Sequence, residues 1–423
     1  MNVAVINTVC LNTGDAAIAE ALQASVREAL GPCDFTVFDS NPEASARLYP
    51  GWRFRQSLTP LLQPRLPIRL PKGEAIARRL PPLRLRAAAA LEAAGRGALA
   101  APVLRAAEQE ALRTWAASDL VVAHGGTYLV EHYELHARIL EFELILALGK
   151  PLVLFTQSLG PFRKRLYRRR LRRIFERAAL VLLRDERSLG HLRDLGVRSD
   201  RLHVVPDAVF ALADDERLRA AEAAQLPAGE RLRVAISVRD WPYIGEAMER
   251  YEAGIGALAT HVVDRLGGEV IFVSTCQGVA DYWTDDSRTA VRIAERLPAH
   301  VRASVEVDRG FHDRRALGAL FASCDLVVAT RMHAAILALC AGVPVLPIAY
   351  EFKTEEVFRS LGMGAFVTRI DEVQGGVLVE RFDALREALP RLRGPFFREV
   401  LATAARARGT AARIRAAVEG APR

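Results

Sequence analysis

The 423-residue chain predicts an α/β protein made of two Rossmann-like domains facing a cleft. Three observations carry that expectation. Short apolar runs recur along the whole sequence, each closed by a polar or glycine-bearing tip and followed by a helix-forming segment. The length exceeds one ordinary hydrophobic core, whereas two domains of roughly 150–200 residues accommodate it. The stretch Asp325–Lys353, DLVVATRMHAAILALCAGVPVLPIAYEFK, reads as a complete βαβ unit. Ligands of such units lie beyond the carboxyl ends of the strands.

In order, residues 2–8 form an apolar strand, followed by Thr13-Gly14-Asp15 and a helix to about Leu30. Strand, Gly-Asp loop and helix open an anion-handling α/β domain. Gly14 lets backbone approach a ligand, and Asp15 either caps the helix or contacts that ligand. The pattern is not GxGxxG, so a dinucleotide site lacks support. A second strand is expected at Asp34–Asp39. Residues 50–110 are arginine- and alanine-rich and punctuated by prolines. They read as loops and amphipathic helices on one face of the first domain, either a basic surface insertion or a contact with a membrane carrying lipid-linked substrate.

Strands return at Asp119–Ala123, ending in His124-Gly125-Gly126, and at Pro151–Thr156, ending in Gln157-Ser158. Residues 163–177 carry nine basic residues on an expected helix whose apolar stripe is Tyr167, Leu171, Ile174 and Ala178. With little aromatic interleaving, this reads as a solvated face and not a nucleic-acid patch. Leu180–Leu183 leads into Arg184-Asp185-Glu186, and Leu202–Val205 into Pro206-Asp207. The first domain is placed at 1–212 and a linker at 213–231. A second α/β series occupies 232–375, with strands at Arg233–Val238, Glu269–Ser274 and Val301–Val307 before the βαβ unit. Residues 376–423 read as helices packing back on the first domain.

Arg184, Arg239 and Arg331 each follow a buried strand directly, and Lys353 and His333 sit at similar tips. Guanidinium forks suit carboxylate or phosphate, and desolvating several of them requires an anion. Three strand-end arginines facing one another across a cleft therefore predict a polyanionic small ligand. The competing structural reading pairs Arg184 with Asp185 or Glu186, and Arg239 with Asp240. No GxxxxGK[ST], HExxH, GxSxG or zinc spacing occurs, so nothing visible calls for a metal or a bound cofactor.

Composition sets the remaining bounds. Hydrophobic residues make up 51% of the chain, as in a globular protein, and the net charge is +8 with a pI near 9.5. This balance suits anionic partners. Cys10, Cys33, Cys276, Cys324 and Cys340 show no ligand spacing and read as small apolar residues of a reducing compartment. The sequence opens directly into a strand and lacks an uncharged span of membrane length, so a cytoplasmic protein is expected, with peripheral contact at the inner face of a membrane left open.

The tips resemble, in order, those of the polysaccharide pyruvyl transferase family. The matching elements are Thr13-Gly14-Asp15, His124-Gly125-Gly126, Ser158-Leu159-Gly160-Pro161, Arg184-Asp185-Glu186-Arg187-Ser188, Pro206-Asp207, Arg331-Met332-His333, and Gly342-Val343-Pro344 through Tyr350 to Lys353. The chain departs at His124, where the family usually has the first glycine of a GGG run. The resemblance implies a GT-B-like fold, with an acceptor side in the first domain and a donor side in the second. It implies transfer of pyruvate from phosphoenolpyruvate to a sugar or lipid-linked saccharide, and no other cofactor. His333, Arg331 and Lys353 fall on the family's catalytic and donor positions. Arg184, Arg239, Met332, Gly14, Asp15, Gly125, Gly126 and Ser158 are the expected substrate-binding set. The competing enzyme is a GT-B glycosyltransferase using a nucleotide sugar.

Overall fold

The computed structural model describes residues 1–62, 73–224, 231–241 and 245–420, with side chains omitted at 60, 61 and 73–81. The chain divides into two compact units. The first comprises Met1–Cys10, Ile18–Pro206 and Gly409–Arg423; the second comprises Leu11–Ala17 and Asp207–Arg408.

The first unit is built on a parallel sheet. Its strands are β1 (Asn2–Thr8), β2 (Asp34–Asp39), β3 (Arg53–Gln56), β4 (Leu120–Ala123), β5 (Gly126–Leu129), β6 (Leu152–Leu159), β7 (Leu180–Leu183) and β8 (Leu202–Val204). The order is β3-β2-β1-β4-β6-β7-β8, with β5 paired to β6. Its helices are α1 (Thr13–Leu30), whose first turn belongs to the second unit, α2 (Pro42–Leu48), α3 (Gly73–Ala93), α4 (Ala106–Ala117), α5 (His136–Ala147), α6 (Arg165–Arg177) and α7 (Glu186–Asp194). The central strands read as continuous apolar runs because both faces are covered, and every residue of β4, β6 and β7 is buried. Trp115 of α4 is fully buried, with its ring 5.6 Å from Phe38. Burying such a side chain contributes about 3 kcal/mol.

The second unit holds α8 (Asp215–Ala223), β9 (Arg233–Ser237), α9 (Ala247–Asp264), β10 (Glu269–Phe272), α10 (Ser287–Glu295), α11 (Ala299–Arg302), β11 (Val305–Val307), α12 (Arg314–Ala322), β12 (Leu326–Ala329), α13 (Met332–Cys340), β13 (Val345–Ala349), α14 (Phe352–Ser360), β14 (Thr368–Arg369) and α15 (Val377–Arg408). Its sheet is parallel in the order β11-β10-β9-β12-β13-β14. Strand order reverses between β9 and β12, where an open α/β sheet offers a ligand crevice.

Several expectations need correction. Val301–Val307 is a helical turn followed by a three-residue strand, because Pro298 starts α11 and its carbonyl accepts from Arg302 N–H. The 213–231 segment is not a plain linker: α8 is capped by Asp214, while 225–230, with Pro227 and Gly229, lie outside the described residues. Within 50–110, β3, two 3-10 turns and α3 are found, and Pro64, Pro67 and Pro71 lie outside the described residues. Helix α15 runs on through Pro390 and Pro395. It stays with the second unit, where Arg408 donates to Ala211 O, Ala213 O and the Asp215 carboxylate. Only α16 (Thr410–Glu419) belongs to the first unit, and its Arg415 donates to the last carbonyls of α1, Ala29 at 2.7 Å and Glu28 at 3.0 Å.

Candidate functional site

In the second unit β12 ends at Ala329, Thr330 follows, and α13 begins with Arg331 as its N-cap, Met332 first and His333 second. The Arg331 side chain makes no capping hydrogen bond to the first turn of α13. Arg331 is 8% exposed and forms a two-pronged bond to Asp286: Nε donates to Oδ2 at 2.8 Å and Nη2 to Oδ1 at 2.7 Å. Ser274 Oγ also donates to Oδ2 at 2.6 Å. Burial disfavours the guanidinium charge, but Asp286 overrides it and holds Arg331 well above its usual value. Arg331 therefore spends one edge of its fork on the protein and keeps the Nη1 edge. Met332 is 4% exposed and belongs to the core.

His333 places Nε2 3.5 Å from Oδ2 of Asp207, whose side chain is fully buried; the two are at ion-pair distance, and Nε2 is buried with no hydrogen-bond partner among the described residues. Asp207 is itself fixed by accepting from Val209 N–H at 3.0 Å. Over the other side of the imidazole lies Gly14. A methyl group there would sit 2.6 Å from His333 Cβ and 2.8 Å from Nδ1. The Gly14-Asp15 loop, expected in the first domain, is part of the second unit. Thr13 anchors it, through N–H to Thr275 O at 3.0 Å and through Oγ1 to His312 O at 2.6 Å. Asp15 is not the helix cap: Asn12 Oδ1 accepts Gly14 N–H at 2.8 Å, and Asn12 Nδ2 donates to Asp15 at 3.1 Å.

Arg239, just beyond β9, lies over two aromatic rings, Trp241 at 4.3 Å and Tyr350 at 4.0 Å. Its Nε is buried with no hydrogen-bond partner, and it pairs with no carboxylate among the described residues, Asp240 included. A guanidinium held by π faces presents its edge to a planar anion. Its backbone N–H donates to Tyr251 OH at 3.3 Å, and that hydroxyl bonds Thr330 Oγ1 at 2.7 Å, tying the tips of β9 and β12 together. Lys353, in the first turn of α14, pairs with Glu351 at 2.7 Å and stands 5.5 Å from the Tyr350 ring. Burial pushes the Cys276 thiol up to about 12, within the fields of Arg331, Asp286, Asp15 and Arg239. It stays a neutral thiol at physiological pH.

The remaining expected residues lie in the first unit. Arg184 follows β7 and donates to Ser158 Oγ at 3.2 Å and Thr127 Oγ1 at 2.8 Å. Ser158 in turn donates to Asp185 at 2.7 Å, so its hydroxyl is engaged on both sides. Gly125 is required by packing: a Cβ would meet Thr156 Oγ1 at 2.5 Å and Ile18 Cγ2 at 2.8 Å. Gly126 has φ 140°, which favours glycine. His124, in place of a glycine, is 2% exposed, and its carbonyl accepts from Tyr128 OH at 2.9 Å.

The structure thus places Arg331, His333, Arg239, Lys353, Gly14 and Asp15 in the second unit and Arg184, Ser158, Gly125 and Gly126 in the first. Asp286, Trp241 and Tyr251 also belong to this set of neighbours without any expectation from the sequence, as do Asp207 and Tyr350, which the sequence marks only as members of longer motifs. Their signals were faint: Asp207 and Tyr350 stand at strand-end motifs, and nothing local marks Asp286.

The amylovoran biosynthesis protein AmsJ of Erwinia amylovora is 27% identical over 283 residues, 63% of this chain and 65% of that protein, so the match spans less than two thirds of the relative. Anabaena Alr3699/HepE, solved with UDP-glucose, superposes with TM-score 0.53 at 15% identity over 98% of each chain. UDP-GlcNAc 2-epimerase of Neisseria meningitidis, bound to UDP-GlcNAc, gives 0.54 at 13% identity, again over 98% of each. These structures establish the fold, two Rossmann-like units of GT-B-like type. The family described as polysaccharide pyruvyl transferase matches residues 12–351, from the Asn12 cap to Glu351. The chain belongs to the polysaccharide pyruvyl transferase family.

Proposed function

We propose that the protein transfers pyruvate from phosphoenolpyruvate to two hydroxyls of a sugar, making a ketal on a cell-surface polysaccharide precursor. The observation that supports this reading is His333 at 3.5 Å from Asp207 and next in the chain but one to Arg331, in the unit that also carries Arg239 and Lys353 at strand tips. Phosphoenolpyruvate has a carboxylate and a phosphate, matching a site of separate cationic groups. In the reaction C3 takes a proton, one sugar hydroxyl adds to C2, the C2–O bond to phosphate breaks, and the second hydroxyl closes the ketal. Each hydroxyl gives up one proton; one balances that on C3 and the other leaves with phosphate.

His333 is the proton carrier in this scheme, with the Asp207 carboxylate 3.5 Å away offsetting the charge it takes on. Arg239, Lys353 and the free edge of Arg331 hold the anionic groups and stabilise charge on the departing phosphate. The test is a thermal-shift titration with phosphoenolpyruvate and, separately, UDP-glucose, followed by phosphate release from phosphoenolpyruvate over a panel of aryl glycosides. Phosphoenolpyruvate should stabilise and UDP-glucose should not. His333→Ala should keep donor binding and lose at least about a hundredfold in turnover. Near-normal turnover in that variant, or stabilisation by UDP-glucose alone, rejects the assignment. Lys353→Ala should weaken donor binding about tenfold or more, since a bond to a charged group contributes about 1.5–3 kcal/mol.

A further inference from the structure

The first unit carries a surface that the proposed reaction does not use. Helix α6 buries Tyr167, Leu171, Ile174 and Phe175. On its opposite side Arg165, Leu166, Arg169 and Arg173 fall within an arc of about 100° at the α-helical pitch. All four are exposed, Leu166 by 58%. The three arginines have no carboxylate partner among the described residues. Flanking Arg170 and Arg172 do have one, in Glu143 at 2.6 Å and Glu176 at 2.8 Å.

The amino end of α6 is tied to the loop before α5 by hydrogen bonds. Glu131 accepts from the N–H groups of Arg163 at 2.8 Å and Lys164 at 2.7 Å, and Glu134 accepts from Tyr167 OH at 2.9 Å. Tyr133, in the same loop, is 46% exposed. Neighbouring unpaired arginines with an apolar side chain among them form the pattern of an interfacial helix, whose cations meet anionic headgroups while leucine enters the acyl boundary.

We propose that this face of α6 docks the first unit on an anionic membrane surface. The chemistry favours a bilayer over nucleic acid, because single strands need aromatic platforms between the cations and the tyrosine of α6 is turned inward. Helix α6 also follows β6, whose carboxyl end bears Ser158 against Arg184. Docking keeps that tip on a membrane-bound protein, which suits a saccharide acceptor borne on a lipid; this last clause rests on the pyruvyl-transfer reading, whereas the docking does not.

Flotation of the full chain with vesicles tests it. Phosphatidylcholine vesicles should not retain the protein, vesicles containing phosphatidylglycerol should, and high salt should release it. Each basic residue near an anionic surface changes partitioning about fivefold, so the triple variant Arg165→Gln/Arg169→Gln/Arg173→Gln should bind about a hundredfold more weakly. Leu166→Gln should weaken binding by about tenfold. An unchanged thermal response to phosphoenolpyruvate in the triple variant shows that its loss is one of docking and not of folding. Equal retention of wild type and triple variant overturns the proposal, as does capture of a duplex oligonucleotide with no vesicle binding. Vesicle binding with no response to phosphoenolpyruvate upholds docking and rejects the reaction.

Discussion

At Gly14 the missing side chain decides how His333 is held. Any Cβ would press on the imidazole, at a distance that real Cβ contacts do not reach. Gly14→Ala should therefore move the ring off Asp207 and lower turnover by about a hundredfold at little cost in thermal midpoint, which paired activity and melting measurements resolve. A second residue reports on pH. Burial pushes Glu141 up to about 7, although Arg138 is near and Leu58 N–H and Thr59 Oγ1 donate to it at 3.1 and 3.3 Å. An acid whose folded pKa is raised binds its proton more tightly when folded, so its contribution is favourable at low pH and is lost as pH rises from the unfolded value through about 7. Glu141→Gln should flatten the fall in stability between those values by an amount on the order of 3 kcal/mol. Equal pH slopes in the two proteins would count against it. Arg331, His333 and Lys353 could be singled out because each stands within four residues of the end of an apolar run. Asp286 was not, since it lies 45 residues from the arginine it pairs with and its local context is the start of α10, a common place for aspartate.

Among the elements, α16 has the clearest energetic role. It buries Ala411 and Ile414 in the first unit and closes the carboxyl end of α1 through Arg415. Ile414→Ala removes a fully buried side chain and should cost about 2–5 kcal/mol, read as a lower urea midpoint. Most of the strands located from the sequence carry unbroken apolar runs, as β4, β6 and β7 do, while β2 (DFTVFD) and β8 (LHV) were found with shorter ones. β3 was missed because RFRQ alternates in a proline- and arginine-rich setting, and β5 because Gly126 reads as a continuation of the glycine loop. β14, with two residues, carries too little pattern to register. The order of tips was legible; which unit the loop after β1 belongs to was not, because Thr13 reaches carbonyls some 260–300 residues away.

For the molecule as a whole, folding stability is a small difference of large terms, about 5–15 kcal/mol. Against that margin the two-pronged bond between Arg331 and Asp286 has an awkward consequence for anyone ranking variants by activity. Arg331→Ala strands a carboxylate in the interior, and breaking such a pair from one side costs about 3–5 kcal/mol. The expected outcome is poor soluble yield and premature melting, an apparent catalytic defect that is in part a folding defect. Arg331→Met combined with Asp286→Leu should recover the melting temperature while leaving pyruvate transfer silent. That divergence, measured on the same preparation, separates what the arginine contributes to folding from the donor-binding role proposed for it.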